Sequence, residues 1–373
     1  MVSAGVPDSA PCARIDLAAL EHNYREVVRL VGPKTAVLAM VKADAYGHGA
    51  PAVAERLARA GCRRFGVATL DEAEELGALA ADHSVVVFGG IVPAEADRAI
   101  ALGAEIVVGD LDTARALDGA ARSAGRRARI HLKIDTGMRR LGIEPADAGA
   151  FARELRRMPG IEVAALCSHF AMAESVTTEV TRGQLERLLE ASRGVDPVLG
   201  RVPLHLANSA AILTRPETHL DMVRPGLMLY GLPPDPSLDG RADLRPVMTL
   251  VATVVRVTEV GPGEGIGYGH TCRTERNTVL ATLRCGYADG YPRSLSNNGE
   301  ALVGGRRCPV VGRVCMDHTM IDVTGARVRI GDRVELWGSG IDAGEVAARA
   351  GTIAYELVAR VGGRVRRTYE EES

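Results

Sequence analysis

Lys42 closes an apolar run at residues 36–41 and opens a turn-rich stretch, Ala-Asp-Ala-Tyr46-Gly-His-Gly49. An ammonium at the end of a buried strand is costly to desolvate. One reading is a side chain that snorkels to water. The other is a lysine whose burial lowers its pKa, so that it can form a Schiff base with a cofactor aldehyde. Other reactive groups stand in similar places, just after apolar segments: His169 in Ser168-His169-Phe170, Asn208 with Ser209, and Arg224 ahead of Pro225-Gly226. Arg129, His131, Lys133 and Asp135 alternate with Ile130, Leu132 and Ile134, which puts the polar four on one face of a strand. The next stretch, Thr136 to Gly142, can bring Arg140 beside Lys133. Two cations in a partly desolvated site repel. Lys133 is therefore neutral, compensated by an acid, or modified.

The elements that position these groups follow from the apolar pattern. β-type runs recur at residues 36–41, 65–68, 84–88, 104–108, 129–134, 163–169, 204–207 and 221–229, with Ala/Glu/Arg-rich helical segments between them. About eight strands, each followed by a helix, predict an α/β fold: a (β/α)8 barrel over residues 13–240. An open doubly wound sheet is the alternative. In such a barrel the reactive groups gather at the carboxyl ends of the strands. Pro233 to Pro246 reads as a linker by composition. Beyond it, β-branched residues alternate and glycine-rich turns recur, which predicts a mainly β domain over residues 241–373. An amphipathic helix at about 343–361 closes that domain, and residues 1–12 read as a loose tail.

Composition bounds the function. A formal net charge of −2 over 373 residues offers no global basic field for nucleic acid or anionic membrane. Arg126-Arg127 and residues 364–367 read as solvated surface. No apolar stretch approaches the ~20 residues of a membrane span, and no signal-like pattern opens the chain. Seven cysteines without CxxC pairs or zinc spacing fit reduced thiols in the cytoplasm, with no metal expected. There is no GxxxxGK, and no GxGxxG between a strand and a helix; Gly261 to Gly265 is a turn. Pyridoxal 5'-phosphate explains the whole set. Its phosphate takes backbone N–H groups and hydroxyls, which Ser209, Tyr46, Tyr355 and the Gly226-Leu227 turn can supply.

The chain resembles the alanine racemase family along nearly its whole length. The matching segments run from Ala39 to Gly49, His131 to Gly142, Ser168 to Phe170, His205 to Ala210 and Met222 to Gly231. Further on they are Gly267-Tyr268-Gly269, Gly286 to Arg293, Val311 to Asp317, Gly331-Asp332 and Thr352 to Glu356. The resemblance implies that Lys42 holds the cofactor and is one base, and that Tyr268 is the other. Tyr46, Ser209, Gly226, Leu227 and Tyr355 look like phosphate contacts, and Asn208 stands with them among the cofactor-binding residues. Arg224 looks like the partner of the pyridine nitrogen, with His169 behind it. Arg140 and the Met316 backbone would hold the substrate carboxylate, Tyr287 would line the entrance, and Asp317, Arg313 and Glu174 would support. Lys133 would carry a carbamate that holds Arg140. A homodimer with shared active sites is implied, Tyr268 and Met316 reaching the cofactor of the neighbouring subunit, and so is D-alanine for peptidoglycan. The chain departs from the family at Glu174, where Asp is usual, at His318 for Gln, at Ala354 for Asn and at Gly267 for Ser.

The chemistry asks for these types. Racemisation takes a proton from one face of Cα and returns one to the other, which two bases on opposite faces can do. Taken singly, Tyr268 would be a core or interface tyrosine, Met316 core packing, and His48, His131 and His205 structural supports. Cys315 would be buried and inert. A non-catalytic pyridoxal phosphate carrier of the same barrel would lack residues 247–373. A barrel-plus-β decarboxylase would be longer and carry a different cysteine motif. A racemase of serine or larger amino acids would share both bases and differ in pocket size, which Tyr287 and Tyr355 narrow in favour of alanine.

Overall fold

The structure, a computed structural model, describes residues 9–77, 79–174 and 179–371. The chain forms two compact units. One holds Leu20–Ala45 and Ala50–Leu244; the other holds the residues up to Ala19, Tyr46–Gly49 and those from Arg245 onward.

The larger unit is a closed parallel barrel. Numbering strands in chain order from β1 (Cys12–Asp16), its staves are β2 (Ala36–Met40), β3 (Arg64–Val67), β4 (Ser84–Val87), β5 (Glu105–Val108), β6 (Ala128–Lys133), β7 (Ile161–Cys167), β8 (Leu204–Asn208) and β9 (Met222–Arg224). Parallel pairing of β2 with β9 closes the ring. The eight staves are those the apolar runs predict, and closure excludes the open sheet. Most staves are short and largely buried, so they read as apolar runs; β6, with Arg129, His131 and Lys133, alternates instead. Their outer faces are covered by amphipathic helices. The helix Leu111–Ser123 buries Ala114, Leu117 and Ala121, and the Asp110 side chain caps its first turn by accepting from the Thr113 N–H at 2.7 Å.

The stretch after Lys42 is a left-handed turn rather than an irregular loop. Ala43, Asp44, Ala45 and Tyr46 have φ of 53°, 53°, 52° and 55°. Such a run costs roughly 1–2 kcal/mol per non-glycine residue, and side chains hold it: the Ala43 N–H donates to Glu72 and the Ala50 N–H to Asp44, each at 2.8 Å.

The second unit is built on an eight-stranded sheet. Its further strands are β10 (Met248–Val260), β11 (Gly265–Ile266), β12 (Cys272–Arg273), β13 (Thr278–Arg284), β14 (Glu300–Val303), β15 (Arg306–Pro309), β16 (Thr319–Asp322), β17 (Arg333–Trp337) and β18 (Arg366–Glu370). The sheet order is β15-β14-β17-β10-β1-β18, with β13 on β10 and β16 on β13; β11 and β12 form a separate hairpin. Three features differ from the sequence reading. Residues 13–16, expected with the barrel, lie with Cys12 in β1, between β10 and β18. The single helix expected at 343–361 is two, Ala343–Ala350 and Ala354–Ala359, because Gly351 ends the first in the left-handed conformation at φ 75°. Arg367, read as solvated, donates to the carbonyls of Gly47, Val361, Gly362 and Val365. Among the described residues no helix is long and apolar enough to cross a membrane.

Candidate active site

At the barrel's carboxyl rim, Lys42 stands two residues past β2, Lys133 ends β6, Asn208 ends β8 and Arg224 ends β9. His169 stands two residues past β7, and Arg140, exposed, lies beyond β6. These groups perturb one another. Burial lowers the Lys42 pKa, and the charges of Arg140 and Arg224 push it further against the pull of Glu72. Burial likewise takes Lys133 down to about 8; Arg224 and Arg140 act in the same direction, and Cys167 and Asp135 oppose them. Both amines are thus biased toward the neutral, nucleophilic form. A cavity of about 510 Å³ is lined by Lys133, Arg140, Gly142, Gly89 and Val107 among others. Lys133 and Arg140 thus line the same cavity, and the Arg140 charge lowers the Lys133 pKa.

Arg224 is the best-held cation of the rim. Nη1 donates to His205 Nδ1 at 2.8 Å; Nη2 donates to Ser168 O at 2.7 Å, Leu206 O at 3.1 Å and His169 Nδ1 at 3.2 Å. Its Cζ lies 5.7 Å from the centre of the Phe88 ring, close enough for a cation–π contact. Burial lowers its pKa only to about 10, so it remains a cation. Burial, with Arg224, holds His169 far below the usual imidazole range; its Nδ1 accepts from Arg224 as a neutral ring.

Beside Arg224 is an anion-ready corner. The Ser209 hydroxyl accepts from the Gly226 N–H at 2.9 Å and from the Met228 N–H at 3.4 Å. Leu227, buried, opens the 3-10 turn Leu227–Tyr230 after Gly226. Asn208 accepts from the Ala211 N–H at 3.0 Å and so caps the helix Ser209–Thr214. Glu174 is exposed on the loop after β7.

The remaining candidates belong to the second unit. The buried Tyr46 ring lies 6.1 Å from that of Tyr355, tilted by 49°. Burial, reinforced by Tyr355, pushes the Tyr46 phenol well up, so it stays a hydrogen-bond donor. Tyr268 opens the 3-10 turn Tyr268–His270 between two positive-φ glycines, Gly267 and Gly269, and is 72% exposed. A Cβ at Gly267 would approach Met320 Cε to 2.9 Å and Arg313 N to 3.5 Å. The Tyr287 and Ala288 N–H groups donate to the carbonyls of Cys315 and Met316, each at 3.0 Å. A Cβ at Gly286 would lie 2.4 Å from the Met316 carbonyl oxygen, so only glycine fits there. Arg364 ties the Met316 loop down by bridging Asp317 at 2.8 Å and Asp289 at 2.9 Å. Met316 and Tyr287 thus lie side by side, and Arg313 packs by the Tyr268 turn.

Sequence reasoning did not single out Phe88, Glu105 or Asp289, quoted Ser168 only as the neighbour of His169, and read Arg364 as solvated surface. Glu105 left a signal: a carboxylate inside the apolar run at residues 104–108 must be buried and hence partnered.

The residues fit pyridoxal phosphate. A rim of cations, a lysine biased neutral, and a corner where a buried hydroxyl and backbone N–H groups converge suit an anionic aldehyde.

The family model described as "Alanine racemase, N-terminal domain" matches residues 15–234, and "Alanine racemase, C-terminal domain" matches residues 247–369. An alanine racemase of Halothermothrix orenii is 40% identical over 366 residues, covering 96% of this chain and 97% of that protein. The solved alanine racemase of Clostridium difficile 630 superposes with a TM-score of 0.94 at 33% identity, covering 97% of this chain and 96% of the other. The Bartonella henselae alanine racemase, solved with covalently bound pyridoxal phosphate, gives 0.89 at 29% identity, covering 97% of this chain and all of that one (100%).

Proposed function

Because this chain belongs to the alanine racemase family, we propose that it interconverts L- and D-alanine with two bases, the Lys42 amine and the Tyr268 phenol, using pyridoxal 5'-phosphate. The observation that carries this reading is the state of Lys42: an amine at a strand end, biased neutral by burial and by Arg140 and Arg224.

Lys42, Tyr46, Asn208, Ser209, Gly226, Leu227 and Tyr355 would hold the cofactor, with Arg224 at its pyridine nitrogen and His169 behind. Bound there, pyridoxal phosphate would supply an aldehyde reactive toward amines and a conjugated ring able to take up the electron pair left when Cα–H breaks. Lys42 Nζ, biased toward the neutral form, can accept the proton from one face of Cα. Tyr268 Oη gives a proton to the other face, and the roles reverse for the opposite enantiomer. Arg224 is a permanent cation and a donor only. It leaves no acceptor for a pyridinium proton, which limits electron withdrawal and favours return of the proton to Cα. Arg140 and the Met316 N–H would bind the substrate carboxylate, Tyr287 would line the entrance, and Asp317, Arg313 and Glu174 would support.

The proposal extends to assembly and setting. Tyr268, Tyr287 and Met316 are 72%, 42% and 52% exposed in a single chain, which supports a homodimer in which each protomer's Tyr268 and Met316 serve the other's Lys42. Lys133 becomes a carbamate: its neutral amine adds to the carbon of CO2, the ammonium proton leaves to water, and the resulting anion pairs with Arg140. The reaction supplies D-alanine for peptidoglycan in the cytoplasm, where the seven free cysteines stay reduced. The C-terminal match over residues 247–369 argues against a cofactor carrier.

Exchange of the alanine Hα with solvent tests the mechanism. Tyr268→Phe should keep the cofactor absorbance and lose exchange from one enantiomer while retaining it from the other. Equal retention from both would remove Tyr268 from the reaction. Relative rates on alanine, serine and lysine test the substrate.

A further inference from the structure

Four polar side chains cross the barrel interior as a continuous chain. Glu105 on β5 meets His131 on β6, with Oε2 2.8 Å from His131 Nε2. His131 Nδ1 lies 2.8 Å from His205 Nε2 on β8, and His205 Nδ1 lies 2.8 Å from Arg224 Nη1 on β9. All four are buried. The two imidazoles meet edge to face, 4.9 Å between centres and 76° apart, and Phe88 stands edge-on to His205 at 6.2 Å. At the far end, Glu105 Oε1 accepts from Ser84 Oγ at 2.7 Å and Arg129 Nη1 at 2.8 Å.

The two ends determine every proton between them. A guanidinium only donates, so His205 Nδ1 must carry the lone pair. His205 Nε2 then carries the hydrogen and donates to His131 Nδ1. His131 Nδ1 is therefore an acceptor, His131 Nε2 carries the hydrogen, and a Glu105 carboxylate receives it. A proton added to either ring would set two donors facing each other. Both histidines are thus neutral Nε2–H tautomers. The state of His205 agrees with this order: burial and the Arg224 charge hold it far below the usual imidazole range. Glu105, taken to about 2 although burial opposes it, is the carboxylate the order requires.

We propose that Glu105, remote from the rim, is a positioning residue for Arg224, acting through the ordered protons of His131 and His205. A polar chord through a barrel core is not needed for stability, since apolar packing there would serve as well or better. What it supplies is direction. Arg224 donates to neutral acceptors, two imidazoles and two carbonyls, and the line of hydrogen bonds through His205 and His131 ends on the Glu105 carboxylate, two rings away. Without that anion the imidazoles can exchange tautomers, and a hydrogen on His205 Nδ1 would push the guanidinium off its position. The kinetic consequence rests on the racemase reading above; the proton order does not.

Neutron diffraction of the deuterated wild-type protein, or ¹⁵N spectra of its histidine-labelled form, reads the tautomers directly, before and after cofactor removal. Deuterium on Nε2 and none on Nδ1 of both His131 and His205 is expected. Deuterium on His205 Nδ1, or on both nitrogens of either ring, overturns the proposal whatever the variants do. Glu105→Gln keeps an acceptor for His131 and should keep the tautomers and most of kcat. Glu105→Leu should mix the tautomers and lower kcat about tenfold to a hundredfold, with KM for alanine within about twofold. A Glu105→Leu protein that folds with unchanged kcat, or with tautomers unmixed, assigns the chain a structural role only. A wild-type protein that fails to racemise alanine sinks the proposed function and leaves the proton order standing.

Discussion

Lys133 is the residue whose ionisation reaches furthest into behaviour. Its pKa is about 8 in the folded protein against an ordinary 10.5. Between those values the unfolded chain binds more protons than the native one, so stability rises with pH across that window and levels off above it. Below about pH 8 both states are protonated and the full penalty of the buried cation is present, roughly 3 kcal/mol at 1.36 kcal/mol per unit. Urea melts at pH 8 and pH 10 should show this slope in bicarbonate-free buffer and lose it in Lys133→Met. Added bicarbonate should also flatten it, because a carbamate has no ammonium to bury. Intact-protein mass spectra under bicarbonate that show an unmodified Lys133 would remove the carbamate.

At the level of elements, the left-handed turn decides where Lys42 sits. Ala43 is exposed at φ 53°. Ala43→Val puts a β-branched side chain there and should destabilise by about 1–2 kcal/mol. Ala43→Gly relieves the strain but loosens the unfolded chain, so it should stay near neutral. Urea midpoints of the two variants separate the effects. Arg367 is the counterpart in the second unit, one side chain donating to four carbonyls. Arg367→Ala should cost about 2–3 kcal/mol, with Arg367→Lys recovering only part because an ammonium cannot span the same fork.

These elements also show what the sequence made legible. Most staves were readable because buried parallel strands leave apolar runs, and β6 because its polar residues alternate with Ile130 and Leu132. Lys42, His169 and Ser209 were readable because each stands at the carboxyl end of such a run, and Arg224 because it interrupts one. The left-handed turn was not, since Ala-Asp-Ala-Tyr carries no glycine to announce positive φ. The partnership of His131 with His205 was not, because the two stand 74 positions apart and only barrel closure brings them together. Arg367 misled because arginines in a row look solvated, and only the fold supplies the carbonyls that receive them.

For the whole molecule, the shared-site reading has an arithmetic consequence. Lys42→Ala and Tyr268→Phe should each abolish racemisation. If each site draws Lys42 from one protomer and Tyr268 from the other, mixing the two variants under exchange restores one intact site in each mixed dimer. Random pairing makes half the dimers mixed, so about one quarter of wild-type activity should return. Independent protomers would return none.

Strand β1 has a bearing on biogenesis. Cys12–Asp16 pairs on one side with residues 248–251 and on the other with residues 366–370, whereas the barrel staves all lie between residues 36 and 224. A nascent polypeptide leaving the ribosome can thus close the barrel while these five early residues wait for both sheet neighbours to be translated.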